Sequence, residues 1–212
     1  MNKWVKAQKW EKSWWNDCAN TVWEDVKQMT LAPYLGLKVV PNTYTNLRIP
    51  MNGEKILDIG GGPSSILLKC ENVKGTVIDP CDYPDWVAQR YKECGIEYYK
   101  AKGEDIDDIM GIKGYPKDFG GSEIYDEIWI YNVLQHTQDP EKIIDNAKGI
   151  CKTIRVFEWV DTKVNEGHLH SFTKEQLEGW LGGEGKVTKF SGQGLYGKAF
   201  SGVFLGDYYG SK

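Results

Sequence analysis

Three things are missing from this 212-residue chain. No apolar run approaches the roughly 20 residues that a membrane-crossing helix requires, which excludes an integral helical membrane protein. There is no CxxC pair: the five cysteines, at 18, 70, 81, 94 and 151, are odd in number and widely spread, which fits neither a disulfide framework nor a zinc ribbon and points to reduced thiols. There is no block of Lys or Arg, and the formal charge is −4, so the electrostatic attraction that dominates nucleic-acid affinity is absent and a small or neutral substrate is favoured over a polynucleotide. The opening Met1-Asn2-Lys3-Trp4-Val5-Lys6 continues into further charges and Trp, without the apolar stretch and cleavage site of a secretory signal, so the cytosol is the expected compartment.

Aromatic residues are plentiful instead. Nine Trp and 12 Tyr are many for this length, and rings with a polar handle suit ligand-facing walls as well as cores. The rest of the composition, 41% hydrophobic and 26% charged, is that of a soluble globular protein with one sizeable core. One main domain over 51–212 is expected, preceded by a helical amino-terminal cap over 1–50.

In that cap, Trp4, Ala7, Trp10 and Trp14 recur at helical spacing with Lys and Glu between them, which predicts an amphipathic helix. A second helix is predicted from Thr21, where Thr21 and Glu24 form a capping box, to Pro33; residues 41–54 read as loop. The rhythm then becomes strand, loop, helix. Strands are predicted at Lys55–Ile59, Gly75–Asp79, Ile96–Ala101, Glu127–Val133 and Ile154–Val160. Helices are predicted from Pro63, over Trp86–Cys94 with Gly95 as its stop, and from Pro140 to about Lys148 with Asp139 as its N-cap rather than a catalytic acid. Such alternation implies a mostly parallel, doubly wound α/β sheet covered on both faces. A helix at Thr173–Leu181, with Thr173 and Gln176 as capping box, then leads to two late strands, Lys186–Phe190 and Ala199–Leu205, that can close the sheet as an antiparallel hairpin.

Ligands of open parallel sheets bind beyond the carboxyl ends of the strands, near the switch in strand order. After the first strand comes Asp58-x-Gly60-Gly61-Gly62, where glycines permit a tight turn and close approach of a ligand; a turn without a ligand reads the triplet equally well. After the second strand, about 20 residues on, Asp79 offers a carboxylate that can accept both hydroxyls of a ribose. Its bland alternative is a solvated strand-end Asp or the N-cap of the next turn. Together the two features point to a ribose-bearing cofactor. Ser65 occupies the place of the third glycine of a dinucleotide GxGxxG, and Asp58 sets a negative charge close to where a pyrophosphate would lie. Both disfavour a dinucleotide and favour a cationic ligand. Tyr98-xxx-Lys102 matches the letters of a reductase pair but falls in a predicted strand, where four residues span roughly 13 Å.

The stretch Lys55-Ile-Leu-Asp58-Ile-Gly-Gly-Gly62-Pro-Ser-Ser resembles motif I of the class I S-adenosylmethionine-dependent methyltransferases. Val77-Ile78-Asp79-Pro80 is similar to the acidic end of their second strand, which holds the ribose, and Gly103-Glu104-Asp105-Ile106 to the segment contacting adenine. Tyr125 to His136 resembles their fourth-strand motif, which passes the methionine end of the cofactor, and Gly167 to Thr173 the substrate-side loop after strand five. The resemblance covers roughly 53–206 and implies a Rossmann-like, seven-stranded fold with S-adenosylmethionine as cofactor and S-adenosylhomocysteine as product. Two departures bear on substrate class: Gln135 stands where Glu is frequent, and a Gly-rich insert occupies 111–122. The first 50 residues match no motif of the family, as expected of a variable cap over the acceptor site.

The resemblance implies cofactor contacts from Asp58, Gly60, Gly61, Gly62, Asp79, Glu104, Asp105 and Asn132. His136 is the candidate general base if the acceptor is a hydroxyl, since its ordinary pKa suits proton removal at neutral pH; a His bonded to a backbone carbonyl is the alternative. His168 and His170 alternate, so in an extended segment they face one side and can flank an acceptor; as metal ligands they lack a third partner, and no metal is expected. Trp15 is the candidate for capping the acceptor, because of the adjacent Trp14 and Trp15 at most one lies on the buried stripe of a helix. The expected reaction is methyl transfer to an oxygen or nitrogen of a small molecule. The rivals are a cofactor-binding sensor or subunit without turnover and a nicotinamide reductase.

Overall fold

The computed structural model describes residues 2–41, 47–106, 125–192 and 195–207. The chain opens with helices α1 (Lys3–Trp15) and α2 (Cys18–Leu31), a one-turn 3-10 segment at Ala32–Leu35, and short strands β1 (Val40–Pro41) and β2 (Leu47–Pro50). There follow β3 (Lys55–Ile59), β4 (Cys70–Glu71), β5 (Lys74–Asp79), α3 (Asp85–Glu93), β6 (Glu97–Lys100) and β7 (Tyr125–Tyr131). The chain continues through α4 (Pro140–Lys148), β8 (Cys151–Val160), α5 (Lys174–Leu181), β9 (Lys186–Gly192) and β10 (Leu195–Leu205).

Seven strands form the main sheet in the order β6-β5-β3-β7-β8-β10-β9, and only β10 runs antiparallel to its neighbours. The order reverses between β3 and β7, so the loops leaving those two strands lie side by side. Because alternate residues face opposite ways, the strands feed two cores. Leu57, Ile59, Ile128, Ile130, Ile154 and Val156 pack with Ile143, Ile144 and Ala147 of α4 and with Leu177 and Leu181 of α5. Ile56, Val77, Trp129 and Phe157 pack with Leu31, Leu35 and the α3 residues Val87 and Tyr91. On this second face the Arg155 guanidinium donates to both oxygens of Glu127 at 2.7 Å and to the Leu35 carbonyl at 2.9 Å, which ties the end of the amino-terminal segment to the sheet.

The expected strands and the closing hairpin are present, and both caps were legible: Asp139 accepts from Lys142 N and Thr173 from Gln176 N. Three local expectations need correction. The helix expected from Pro63 is a single 3-10 turn, Ile66–Lys69; the Ser65 hydroxyl caps it at Leu67 N, and the chain passes at once into β4, which leaves no room for a second turn. Helix α2 begins at Cys18, so Thr21 lies inside its first turn and Glu24 is not its capping partner. Residues 41–54 are not all loop, since β2 pairs with β1 and with β4 in a small separate sheet. The Gly-rich insert at 111–122 lies outside the described residues. Among the described residues no helix is long and apolar enough to cross a membrane.

Candidate active site

The loops after β3, β5 and β7 meet at one cavity of about 230 Å³, lined by Gly60, Gly61, Gly62, Asp58, Asp79, Asn132 and His136 and roofed by α1 and α2. At Gly60 the backbone has φ +72°, and a Cβ would lie 2.0 Å from a methyl of Val133. Conformation and packing thus both require glycine there. Asp79, at the end of β5, accepts from Gly62 N at 3.1 Å through one oxygen and from Cys81 N at 2.9 Å through the other. The strand end therefore clamps the glycine turn. Burial pushes the Asp79 pKa up to about 6 against the Cys81 N–H, and the charge of Glu11 adds to the rise. Asp58 lies beneath the glycines and accepts from the Ser65 hydroxyl; burial carries its pKa to about 7 against that bond, with the charge of Asp79 adding to it.

The third wall is the turn after β7. Asn132 takes the left-handed conformation, φ +53°, which Asn tolerates better than most residues. Its N–H donates to the Phe157 carbonyl at 2.7 Å, and its Oδ1 accepts from Gln135 Nε2 at 2.9 Å. One oxygen of fully buried Glu158, on β8, accepts from Val133 N at 3.0 Å and Leu134 N at 2.8 Å; the other has no partner. Burial pushes the Glu158 pKa to about 7 against the Leu134 N–H.

This turn carries His136. Its Nδ1 lies 2.8 Å from the Gly167 carbonyl and 3.0 Å from Glu11 Oε1 of α1. Both neighbours are acceptors, so Nδ1 carries the hydrogen and Nε2 is the nitrogen free to take a proton. Burial works against the cation, but the hydrogen bond and charge of Glu11, joined by the charge of Glu158 and the Gly167 carbonyl, outweigh it and hold the pKa above its ordinary value. The His168 ring stands edge-on to that of His136, centroids 4.9 Å apart, and burial together with the His136 charge lowers its pKa to about 4. His168 is thus neutral at pH 7.

Helix α1 presents Trp4, Gln8, Glu11 and Trp15 to the cavity, a stripe at four- and three-residue spacing; Trp10 and Trp14 line it as well. Trp10 fixes the helix on the loop before His168, where a Cβ on Gly167 would meet the indole ring at 2.8 Å. Trp15 stands over Gly62, and both Trp14 and Trp15 line the cavity, neither of them buried. Their rings meet edge to face, 4.8 Å apart, so one supports the other.

Helix α2 contributes Glu24, Lys27 and Gln28 to the wall. It is bonded directly to the segment after the glycines: Asp25 accepts from the Ser64 hydroxyl and pairs with Lys69 at 3.3 Å and Arg90 at 3.2 Å, and Gln28 Nε2 donates to the Ser64 carbonyl. The amino-terminal segment is therefore fastened to the glycine turn and is more than a cover over an acceptor.

Of the remaining expected residues, Glu104 and His168 line the cavity and Asp105 and His170 do not. Glu104 reaches the cavity wall, but its Oε1 accepts from Gln138 N at 2.8 Å and Asp139 N at 3.1 Å and so braces the start of α4. His168 and His170 part company because their segment is an irregular loop; His170 Nε2 lies 2.9 Å from the Thr137 carbonyl and faces a separate groove beside Lys3 and Leu169. Sequence reasoning missed Glu11, Glu24, Lys27, Gln28, Tyr131 and Glu158. For Glu158 a signal was available, an acid in an otherwise apolar strand; for the residues of α1 and α2 there was none.

No family model matches the chain, and no curated protein matches it in sequence. Solved structures do match. A chain of the complex between the Haloferax volcanii Trm112 methyltransferase activator and a methyltransferase superimposes with TM-score 0.62 at 12% identity, covering 92% of this chain and 97% of that one. The N-methyltransferase NodS from Bradyrhizobium japonicum WM9, solved with S-adenosylhomocysteine, gives 0.57 at 16% identity, covering 97% and 99%. The plantazolicin methyltransferase BamL, solved with a triazolic desmethylPZN analog and SAH, gives 0.56 at 11% identity, covering 97% of each. The chain has the class I methyltransferase fold. The alignments cover between 92% and 97% of this chain, and identities this low speak for the fold alone.

Proposed function

We propose that the protein is an S-adenosylmethionine-dependent methyltransferase acting on an oxygen or nitrogen of a small molecule. The observation that carries this reading is the convergence of the glycine turn, Asp79 and the Asn132–His136 turn on one cavity at the switch point of the sheet. The donor set fits the cofactor. A cluster of buried carboxylates, Asp58 and Asp79 with Glu11 and Glu24 nearby, suits a sulfonium and an ammonium, and two buried polar atoms of the wall, Gln28 Oε1 and Tyr131 OH, have no partner within the protein. Asp79 keeps acceptor capacity for ribose hydroxyls beside the two N–H groups it already binds, and Gly60–Gly62 let backbone approach the ligand. When bound, the cofactor supplies an electrophilic methyl group.

The chain's own part is to align the acceptor and to receive its proton. Alignment supplies much of the rate of an in-line displacement. Trp10, Trp14 and Trp15 wall the acceptor side, and His136 Nε2 takes the proton that the acceptor loses, with Glu11 stabilising the imidazolium that results. His168, neutral at pH 7, contacts the acceptor or relays the proton to solvent.

Calorimetric titration with S-adenosylhomocysteine, beside NAD and NADP, tests the reading. Micromolar binding of the first, abolished in Asp79→Ala, is expected; no binding, or preference for a dinucleotide, sinks it. Acceptor-dependent formation of S-adenosylhomocysteine then separates an enzyme from a sensor.

A further inference from the structure

Lys27 is the only Lys or Arg among the described residues that line the cavity. Its ammonium lies 2.6 Å from Glu24 Oε1, and the two side chains are only 23% and 11% exposed, so this i,i+3 pair is not a solvated surface contact. Next to it on α2 is Gln28, 4% exposed; its Nε2 is fixed on the Ser64 carbonyl, which leaves Oε1 buried and unpaired. Across the cavity wall, at the end of β7, the Tyr131 hydroxyl is buried and unpaired as well, its ring stacked 5.4 Å from Phe157. Orphaned buried polar atoms are costly, so two of them beside a half-enclosed ion pair mark a place where a ligand completes the bonding.

The ligand these groups describe carries both charges a short distance apart. A Lys–Glu pair offers one cation and one anion side by side, Gln28 Oε1 accepts only, and a phenol hydroxyl can donate. A lone anion at Lys27 would be repelled by Glu24 and a lone cation at Glu24 by Lys27, whereas a zwitterion laid against the pair meets an opposite charge at each end. We propose that Glu24, Lys27, Gln28 and Tyr131 hold the α-amino-acid end of S-adenosylmethionine, with Lys27 and the Tyr131 hydroxyl on the carboxylate and Glu24 and Gln28 Oε1 on the ammonium. This rests on the methyltransferase reading and adds to it residues from the amino-terminal segment. Helix α2 belongs to the cofactor site, and its bonds to Ser64 from Asp25 and Gln28 hold the subsite in register with the glycine turn.

The test is calorimetry on the full chain with two ligands: S-adenosylhomocysteine, and 5′-methylthioadenosine, which keeps the adenosine and the sulfur but lacks the amino-acid end. In Lys27→Met, affinity for S-adenosylhomocysteine is expected to fall by about 10- to 100-fold, the range for a lost charged hydrogen bond. Affinity for 5′-methylthioadenosine should stay within about 3-fold, below half a decade. Glu24→Gln, which preserves shape, serves as second variant and should show the same selective loss. Unchanged S-adenosylhomocysteine binding in both variants, or an equal loss for both ligands, overturns the assignment. Wild-type protein that binds neither ligand overturns the cofactor reading itself, so the two failures are distinguishable.

Discussion

Asp58 offers a test that needs no ligand. Its carboxyl is 3% exposed, and burial moves its pKa from the ordinary 3.8 to about 7. The folded chain therefore holds this proton more tightly than the unfolded chain does, and between about pH 4 and pH 7 stability must fall as pH rises. At about 1.36 kcal/mol per pH unit, a displacement from 3.8 to about 7 makes the ionised form cost on the order of 4 kcal/mol once the pH exceeds both values. Asn has the same shape and no charge. Asp58→Asn keeps an oxygen for the Ser65 hydroxyl, and any penalty for its new N–H is independent of pH, so it cancels when stabilities at two pH values are compared. Between pH 5, where the unfolded carboxyl is already ionised, and pH 8 the variant should gain on wild type by about 2.6 kcal/mol, which for a chain of this length is roughly 5–10 °C in Tm. Urea or thermal unfolding of both proteins at pH 5, 6.5 and 8 reads this directly. Asp79, Glu158, His136 and His168 remain in both proteins and largely drop out of the difference. Parallel pH profiles would refute the claim that Asp58 is held in a dry site where burial outweighs its bond from Ser65.

Glu158→Ala should destabilise by about 3–5 kcal/mol, since it orphans the N–H groups of Val133 and Leu134, while Glu158→Gln, which keeps an accepting oxygen, should cost less; denaturant midpoints separate the two. Gly60→Ala meets a positive φ and a valine methyl at 2.0 Å, and should cost at least about 2 kcal/mol by urea unfolding, with part of the loss recovered in the double variant with Val133→Ala. Glu11→Gln removes the main group that opposes burial at His136, so the His136 pKa followed by NMR should fall below that of wild type; an unchanged value would dissociate α1 from the histidine.

How much of this was written in the sequence depends on how local each determinant is. Parallel strands buried on both faces read as short apolar runs, and Ile56–Ile59, Val77–Asp79 and Ile128–Tyr131 were legible for that reason. The caps at Asp139 and Thr173 are decided within four residues and were equally plain. The turn after the glycines was misread because Ser65 serves two partners, capping Leu67 and donating to Asp58, and the second of these is set by the tertiary fold. In α1 the stripe Trp4, Ala7, Trp10, Trp14 marked an amphipathic helix, yet only Ala7 is buried, and Trp4, Trp10 and Trp14 line the cavity together with Gln8, Glu11 and Trp15. Periodicity identifies a helix but not its neighbour. A helix facing a polar cavity keeps polar residues inward and offers no contrast to read.

The same reasoning explains why the amino-terminal helices carry acids inward. Glu11 and Glu24 would be poor choices for a helix facing an apolar core, where an unpaired carboxylate is expensive. Here each has a basic partner within reach, His136 for Glu11 and Lys27 for Glu24, and on the proposed function each pair sits beside the part of the cavity where a proton or a charged ligand group is handled. Two helices that merely shielded a substrate would need bulk and no charge. Helices that complete the chemistry need charge placed opposite the loops of the sheet, which ties activity to the docking of α1 through Trp10 on Gly167 and of α2 through Asp25 on Ser64. On the proposed function, loosening either contact should impair the site without touching any residue of the sheet.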